Sequence, residues 1–229
     1  MRIAQDNISP MTAAYQSEFI DLCVRLGVLR FGSFTLKSGR ESPYFFNAGL
    51  FNTGDAIAAA GRAYAAALAV SELKFDMLFG PAYKGIPLVS ACAIACAEQQ
   101  GRNLPWAFNR KEAKTHGESG RIVGSELAGR VVIVDDVITA GTAVRESIEL
   151  IRTAGAQPVA VALALDRQER GQGPLSAVQE VKAEFGLDSV SILTLDGLIG
   201  ALESRSMHGF EAAQLDGLRN YRQKYGVIP

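Results

Sequence analysis

Two regimes of hydrophobic spacing divide the chain. Near its start Phe19, Ile20, Cys23, Val24 and Leu26 recur at helical intervals, and Gly27 is placed to end that helix. Aromatic-rich runs at 31–36 and 42–47 flank a Gly-containing turn, which predicts a hairpin. Beyond residue 50 the pattern becomes an alternation. Helical spacing covers 55–73, 86–100, 143–154, 178–185 and 197–203, and short apolar runs fall at 76–79, 104–109, 130–135, 158–165 and 189–194. The run Arg130-Val-Val-Ile-Val-Asp135 is apolar at successive positions, as expected of a strand covered on both faces. Alternating strands and helices predict an α/β fold, a parallel sheet flanked by helices. The first helix and the hairpin stand outside the alternation and are expected to form a small cap. The expected organisation is one domain over 1–229, with about 12–50 in the cap, about 51–205 in the core and about 206–229 as a C-terminal helical segment.

Composition narrows the function. Hydrophobic residues make up 48% and charged residues 21%, enough for a real core. The net charge of −1 supplies no global basic field for nucleic acid, so any anion site must be built locally. The first eleven residues lack the apolar run of a signal peptide, and the Ala-rich stretch 56–70 is interrupted by Arg62 and too short to span a bilayer. The expected location is cytoplasmic. Cys92 and Cys96 lie four apart on a predicted helix, with no further Cys or paired His nearby, so they read as small buried side chains rather than half a metal site.

The segment Val131-Val-Ile-Val-Asp-Asp-Val-Ile-Thr-Ala-Gly-Thr-Ala143 carries most of the chemistry. A buried strand ends in Asp135 and Asp136, and a short turn at 139–142 then opens a helix. Ligands of open α/β sheets bind beyond the carboxyl ends of strands. A helix N-terminus there offers unpaired N–H groups and a positive dipole end to a phosphate. Gly141 permits close backbone approach, and Thr139 and Thr142 add hydroxyls. No Gly-Lys-Ser/Thr follows, and Gly171-Gln-Gly173 lacks the third glycine of a dinucleotide fingerprint. Carboxylates accept hydrogen bonds, so the acids suit the hydroxyls of a ribose whose phosphate sits on the turn. The alternative is a helix cap and turn, with Thr142 as the cap.

Two hydrophobics, two Asp, then Thr-x-Gly-Thr is similar to the phosphoribosyl diphosphate (PRPP) signature of type I phosphoribosyltransferases. Four further segments resemble the orotate-using branch of that family: 34–47 with Lys37 and the Phe45-Phe46 pair, 80–87 (Gly-Pro-Ala-Tyr-Lys-Gly-Ile-Pro), 108–118 (Phe-Asn-Arg-Lys-Glu-Ala-Lys-Thr-His-Gly-Glu) and 165–170 (Leu-Asp-Arg-Gln-Glu-Arg). The resemblance runs from about Phe19 to the C-terminus and leaves the first dozen residues as an extension. It implies a type I phosphoribosyltransferase fold with an N-terminal hood. The implied reaction is Mg²⁺-dependent transfer of ribose 5-phosphate from PRPP to N1 of orotate. Its products are orotidine 5′-monophosphate and diphosphate, on the route to UMP.

The resemblance also implies residue roles. PRPP is expected to meet Lys37, Tyr83, Lys84, Arg110, Lys111, Lys114, His116 and the loop Asp135, Asp136, Val137, Ile138, Thr139, Ala140, Gly141, Thr142 and Ala143. Orotate is expected against the backbone of Phe45 and Phe46, with Thr139 and with Arg167, whose fork suits a carboxylate. Lys37, Lys114 and Asp136 are the expected catalytic groups. Mg²⁺ is expected to be held mainly by PRPP, with no dedicated protein metal site. The 110–120 loop is expected to act as a cationic lid that reaches the neighbouring subunit's site in a homodimer. From the residues alone other readings stand: a solvated lid, a Pro-Gly loop bearing an exposed lysine, core aromatics in the hairpin, and Arg167 on the surface. A PRPP-sensing regulator and a purine-using enzyme of the same fold are the rival functions.

Overall fold

The computed structural model describes residues 10–36, 38–112, 121–138, 141–171, 173–204 and 212–227. Helix α1 (Pro10–Arg25) stops where Gly27 takes a left-handed φ of +68°. Strands β1 (Leu29–Thr35) and β2 (Glu41–Phe46) then form an antiparallel hairpin. A short 3₁₀ turn leads to α2 (Gly54–Val70), whose N-cap Thr53 accepts a hydrogen bond from the Ala56 N–H.

The core then alternates: β3 (Met77–Gly80), α3 (Gly85–Gln100), β4 (Trp106–Asn109), β5 (Ile122–Gly124), β6 (Arg130–Asp135), α4 (Thr142–Thr153), β7 (Gln157–Asp166), α5 (Ala177–Phe185), β8 (Asp188–Thr194) and α6 (Leu195–Glu203). Helix α7 (Ala212–Tyr225) closes the chain against the hairpin. The six-stranded sheet has the order β5-β4-β3-β6-β7-β8. Its pairs are parallel except β4 with β5.

The apolar run of β6 is explained by two cores. Val132 and Val134 face the larger one, shared with α1, α2, α3, α6 and the hairpin. Val131 and Ile133 face the smaller one, against Val144, Ile148 and Ile151 of α4 and Val181 of α5. Both faces of the central strand are therefore dry, which favours successive apolar residues over alternation. On the larger side α2 packs closely on α3. A Cβ at Gly61 would stand 2.4 Å from the Ala91 carbonyl oxygen, so glycine is required there. All three cysteines are buried and free.

Two expectations need amendment. The sheet is not wholly parallel, because β5 runs back along β4 as a three-residue edge strand. Too short to show a hydrophobic period, it is held by pairing of Asn109 with Ile122 and by the Arg110 N–H on the Arg121 carbonyl at 2.7 Å. Helix α2 ends at Val70 rather than at 73, because Ser71 caps it and Glu72 takes a positive φ of 54°. Among the described residues no helix is long and apolar enough to cross a membrane.

Candidate active site

The carboxyl ends of β3, β6 and β7 come together beneath the hairpin. At the end of β6 the residues Asp135 and Asp136 are 9% and 4% exposed, so neither is a freely solvated surface residue. The Asp136 N–H donates to Asp135 Oδ1 at 2.9 Å. The Asp136 carbonyl accepts from the Ala164 and Leu165 N–H groups of β7 at 3.0 and 3.2 Å. The Asp135 carbonyl accepts from the buried Tyr64 hydroxyl at 2.7 Å. Burial, and then the neighbouring Asp136 charge, push the Asp135 carboxyl up to about 7. Asp136 lies 2.6 Å from Lys84 Nζ, on a side chain that is 56% exposed, so this pair opens to solvent on the lysine side.

The chain continues through half-buried Val137 and Ile138 to Gly141, which caps α4 with φ +72°. Gly141 is the N-cap and has no side chain to cap with, so Thr142 is the first residue of the helix and not its cap. A helix N-terminus that begins on a glycine cap suits an anion, because its first-turn N–H groups have no partner within the helix. Thr142 and Ala143 are exposed in that first turn. Thr139 and Ala140 lie outside the described residues.

The turn after β3 abuts this loop. A Cβ on Gly80 would lie 2.3 Å from the Gly85 carbonyl oxygen, and one on Gly85 would lie 2.9 Å from that of Val134. The two glycines therefore let the turn fold tightly against β6. Asn109, at the end of β4, accepts the Ala82 N–H on Oδ1 at 2.9 Å. The Ala82–Tyr83 peptide is cis. Tyr83 is 68% exposed, with Lys111 Nζ 5.0 Å from the centre of its ring. Arg110 and Lys111 leave β4 beside this turn, while Lys114 and His116 lie outside the described residues.

Arg167 follows β7 and is no surface arginine, with a side chain only 12% exposed. Its guanidinium stacks 4.2 Å over the Tyr44 ring. Nε donates to Glu169 Oε1 at 2.7 Å, and Nη2 reaches the Ser42 hydroxyl at 3.1 Å. Arg40 of the hairpin donates to the Arg170 and Gly171 carbonyls at 2.8 and 3.2 Å. These contacts fasten the hairpin over the end of β7. Phe46 points into the core, whereas Phe45 stacks on Phe34 at 5.5 Å on the opposite face. Only their shared backbone, not both rings, can face a single ligand. Lys37, in the hairpin turn, lies outside the described residues.

The fold therefore gathers Tyr83, Lys84, Asp135, Asp136, Gly141, Thr142 and Arg167 at one edge. Residue patterns did not single out three supporting side chains: Tyr64, Asn109 and Glu169. Asn109 and Glu169 lay in quoted motifs without being singled out, whereas Tyr64 is marked only by a polar atom among apolar neighbours.

The model of the phosphoribosyl transferase domain matches residues 50–189. An orotate phosphoribosyltransferase of Thioalkalivibrio sulfidiphilus is 62% identical over 213 residues, 93% of this chain and 99% of that protein. One from Vibrio atlanticus is 56% identical over the same shares. The crystal structure of the Francisella tularensis orotate phosphoribosyltransferase superposes with a TM-score of 0.82 at 39% identity, covering 91% of this chain and 99% of that one. That of Mycobacterium tuberculosis in complex with PRPP superposes with a TM-score of 0.60 at 27% identity, covering 80% and 98%. With a matching domain model, 62% identity to a relative over nearly the full length of both chains and a shared overall fold, the chain belongs to the orotate phosphoribosyltransferases, a family on the type I phosphoribosyltransferase fold.

Proposed function

We propose that the protein transfers ribose 5-phosphate from PRPP to N1 of orotate, yielding orotidine 5′-monophosphate and diphosphate for UMP synthesis. The observation that carries this reading is the convergence of two buried acidic residues, a glycine-capped helix N-terminus and a partly exposed lysine at one sheet edge. PRPP has a complementary set of groups: a ribose diol, a 5′-phosphate and a diphosphate. Asp135 and Asp136 accept the ribose hydroxyls. Residues 137–143 cradle the 5′-phosphate through backbone N–H groups and the Thr139 and Thr142 hydroxyls. Lys84 leaves Asp136 to meet the diphosphate, beside Tyr83.

Orotate lies along the backbone of Phe45 and Phe46. Glu169 and Ser42 hold Nε and Nη2 of Arg167, and Nη1 is presented to the orotate carboxylate. Because orotate is already an anion, attack on C1 of the ribose needs little base catalysis. The protein's work is to align the reactants and to stabilise the departing diphosphate. Lys37 and Lys114 meet the charge that develops there, and Arg110, Lys111 and His116 complete a lid that excludes water. The lid serves the neighbouring subunit, so the working unit is a homodimer.

Among the described residues no group of three or more His, Cys, Asp or Glu side chains can hold a metal ion. An ion held mainly by substrate oxygens and water needs only one or two protein carboxylates, and Asp135 and Asp136 are of that chemistry. Bound in this way, Mg²⁺ would neutralise charge on the diphosphate. The test is a spectrophotometric assay of orotate loss with PRPP and Mg²⁺. PRPP-dependent consumption is expected. No orotate loss, with turnover of a purine base instead, would overturn the assignment.

A further inference from the structure

Helix α2 is built mostly of small residues, with Ala56, Ala60, Gly61, Ala63, Ala65 and Ala67 on its buried surface. Tyr64 and Leu68 are the large exceptions, and of the two only Tyr64 carries a polar atom into the core, where it is fully buried. A phenylalanine would fill the same space without burying a hydroxyl, which costs free energy unless it is hydrogen-bonded. The hydroxyl donates to the carbonyl of Asp135, 71 residues away in the chain. That carbonyl marks the point where β6 leaves the sheet. Two residues beyond the last registered pair on the β3 side, Phe79 with Ile133, stands Pro81, which has no N–H to offer.

The consequence falls on a single peptide plane. The plane joining Asp135 to Asp136 has its C=O held by Tyr64 at 2.7 Å and its N–H held by Asp135 Oδ1 at 2.9 Å. The next carbonyl, that of Asp136, is held by two N–H groups of β7. Of these ties, the Tyr64 hydroxyl is the one that reaches across from the helical layer. Rotating this plane would re-aim the Cα–Cβ bonds of both acids and shift the start of the loop that leads to α4.

We propose that Tyr64 is a positioning residue for PRPP: its hydroxyl locks the Asp135–Asp136 peptide so that both carboxylates face the ribose hydroxyls before substrate arrives. The inference rests on the reading that this loop binds PRPP. It concerns a residue that touches neither substrate.

The test is Tyr64→Phe, which removes one oxygen and keeps the packing. It is measured beside Asp136→Asn in steady-state kinetics with each substrate varied and in thermal unfolding. Tyr64→Phe should raise the KM for PRPP roughly five- to twentyfold, because misplacement well under 1 Å is enough to weaken a preorganised site. The KM for orotate should stay within about twofold, since Arg167 is held by Tyr44, Ser42 and Glu169 and not through the Asp135–Asp136 peptide. A lower melting temperature with both KM values unchanged would reduce Tyr64 to a packing role and overturn the proposal. So would equal rises in both. If Asp136→Asn impairs PRPP use and Tyr64→Phe does not, only the positioning role falls. If Asp136→Asn is itself silent, the loop reading falls and takes the positioning role with it.

Discussion

Replacing Lys84 with methionine tests the sheet-edge electrostatics most sharply, because the two partners of its ion pair differ in burial. Asp136 is 6% exposed along its side chain and Lys84 56%, with 2.6 Å between the charged atoms. Removing one partner of a fully buried pair costs about 3–5 kcal/mol, since the other charge is left unpaired. Here the lysine is half in water, and screening lowers the expected loss for Lys84→Met to about 1–2 kcal/mol. Asp136→Asn is the reverse case. It leaves only a lysine that rehydrates, and it removes the repulsion between Asp136 and Asp135. It should therefore be neutral or stabilising within about 0.5 kcal/mol. The double variant should recover most of the Lys84→Met loss, for a coupling of about 1 kcal/mol. Urea unfolding of the four proteins at pH 8 and one fixed protein concentration reads these differences directly. In a chain of this size each kcal/mol corresponds to a melting shift of about 2–4 °C. Equal stability of Lys84→Met and wild type, or a larger loss in Asp136→Asn, would refute the view that the lysine compensates a buried carboxylate.

Further outcomes follow from the other groups. Arg167→Ala should raise the KM for orotate by roughly tenfold or more while changing that for PRPP little, as loss of a charge-assisted carboxylate contact requires; an unchanged orotate KM would place the carboxylate elsewhere. Asp135 titrates near 7 in the folded protein against an ordinary 3.8, so the folded state holds this proton more tightly than the unfolded chain does. Its contribution to stability is accordingly lost as pH rises from about 4 to 7 and is level above that. Asp135→Asn should flatten the slope, gaining on wild type by about 1–2 kcal/mol more at pH 8 than at pH 4, below a ceiling of about 4 kcal/mol for the full shift; parallel stability–pH curves would contradict this. Lys114→Ala should cut kcat far more than it weakens PRPP binding. Mixed with Asp136→Asn under proven subunit exchange, it should regain activity if the lid crosses between subunits, and a mixture that stays inactive would confine each lid to its own site.

Local chemistry that is concentrated in one segment was legible before the fold was known. The run from Val131 to Asp135 announced a strand covered on both faces, and β6 is sandwiched by two cores. Gly141 stood where the chain had to turn, and it caps α4 with a positive φ. Gly27 likewise ends α1. What spacing could not reveal is chemistry assembled across the sheet. Lys84 and Asp136 are 52 positions apart, and only the β3–β6 register makes them neighbours. Asn109 reads as the end of an apolar strand, and its grip on the Ala82 N–H exists only once β3 and β4 are side by side. Arg167 could not be told from a surface arginine until Tyr44, Ser42 and Glu169 closed around it. Strand β5 was invisible because three residues carry no period, and its partner strand defines it.

The most direct measurement is a crystal structure with PRPP and Mg²⁺ bound. The 5′-phosphate should rest on N–H groups between Gly141 and Ala143, the ribose hydroxyls within hydrogen-bond distance of Asp135 and Asp136, and Lys84 should have left Asp136 for the diphosphate. PRPP bound elsewhere, with Lys84 still closed on Asp136 and the start of α4 unengaged, would contradict the assignment of this sheet edge as the PRPP site.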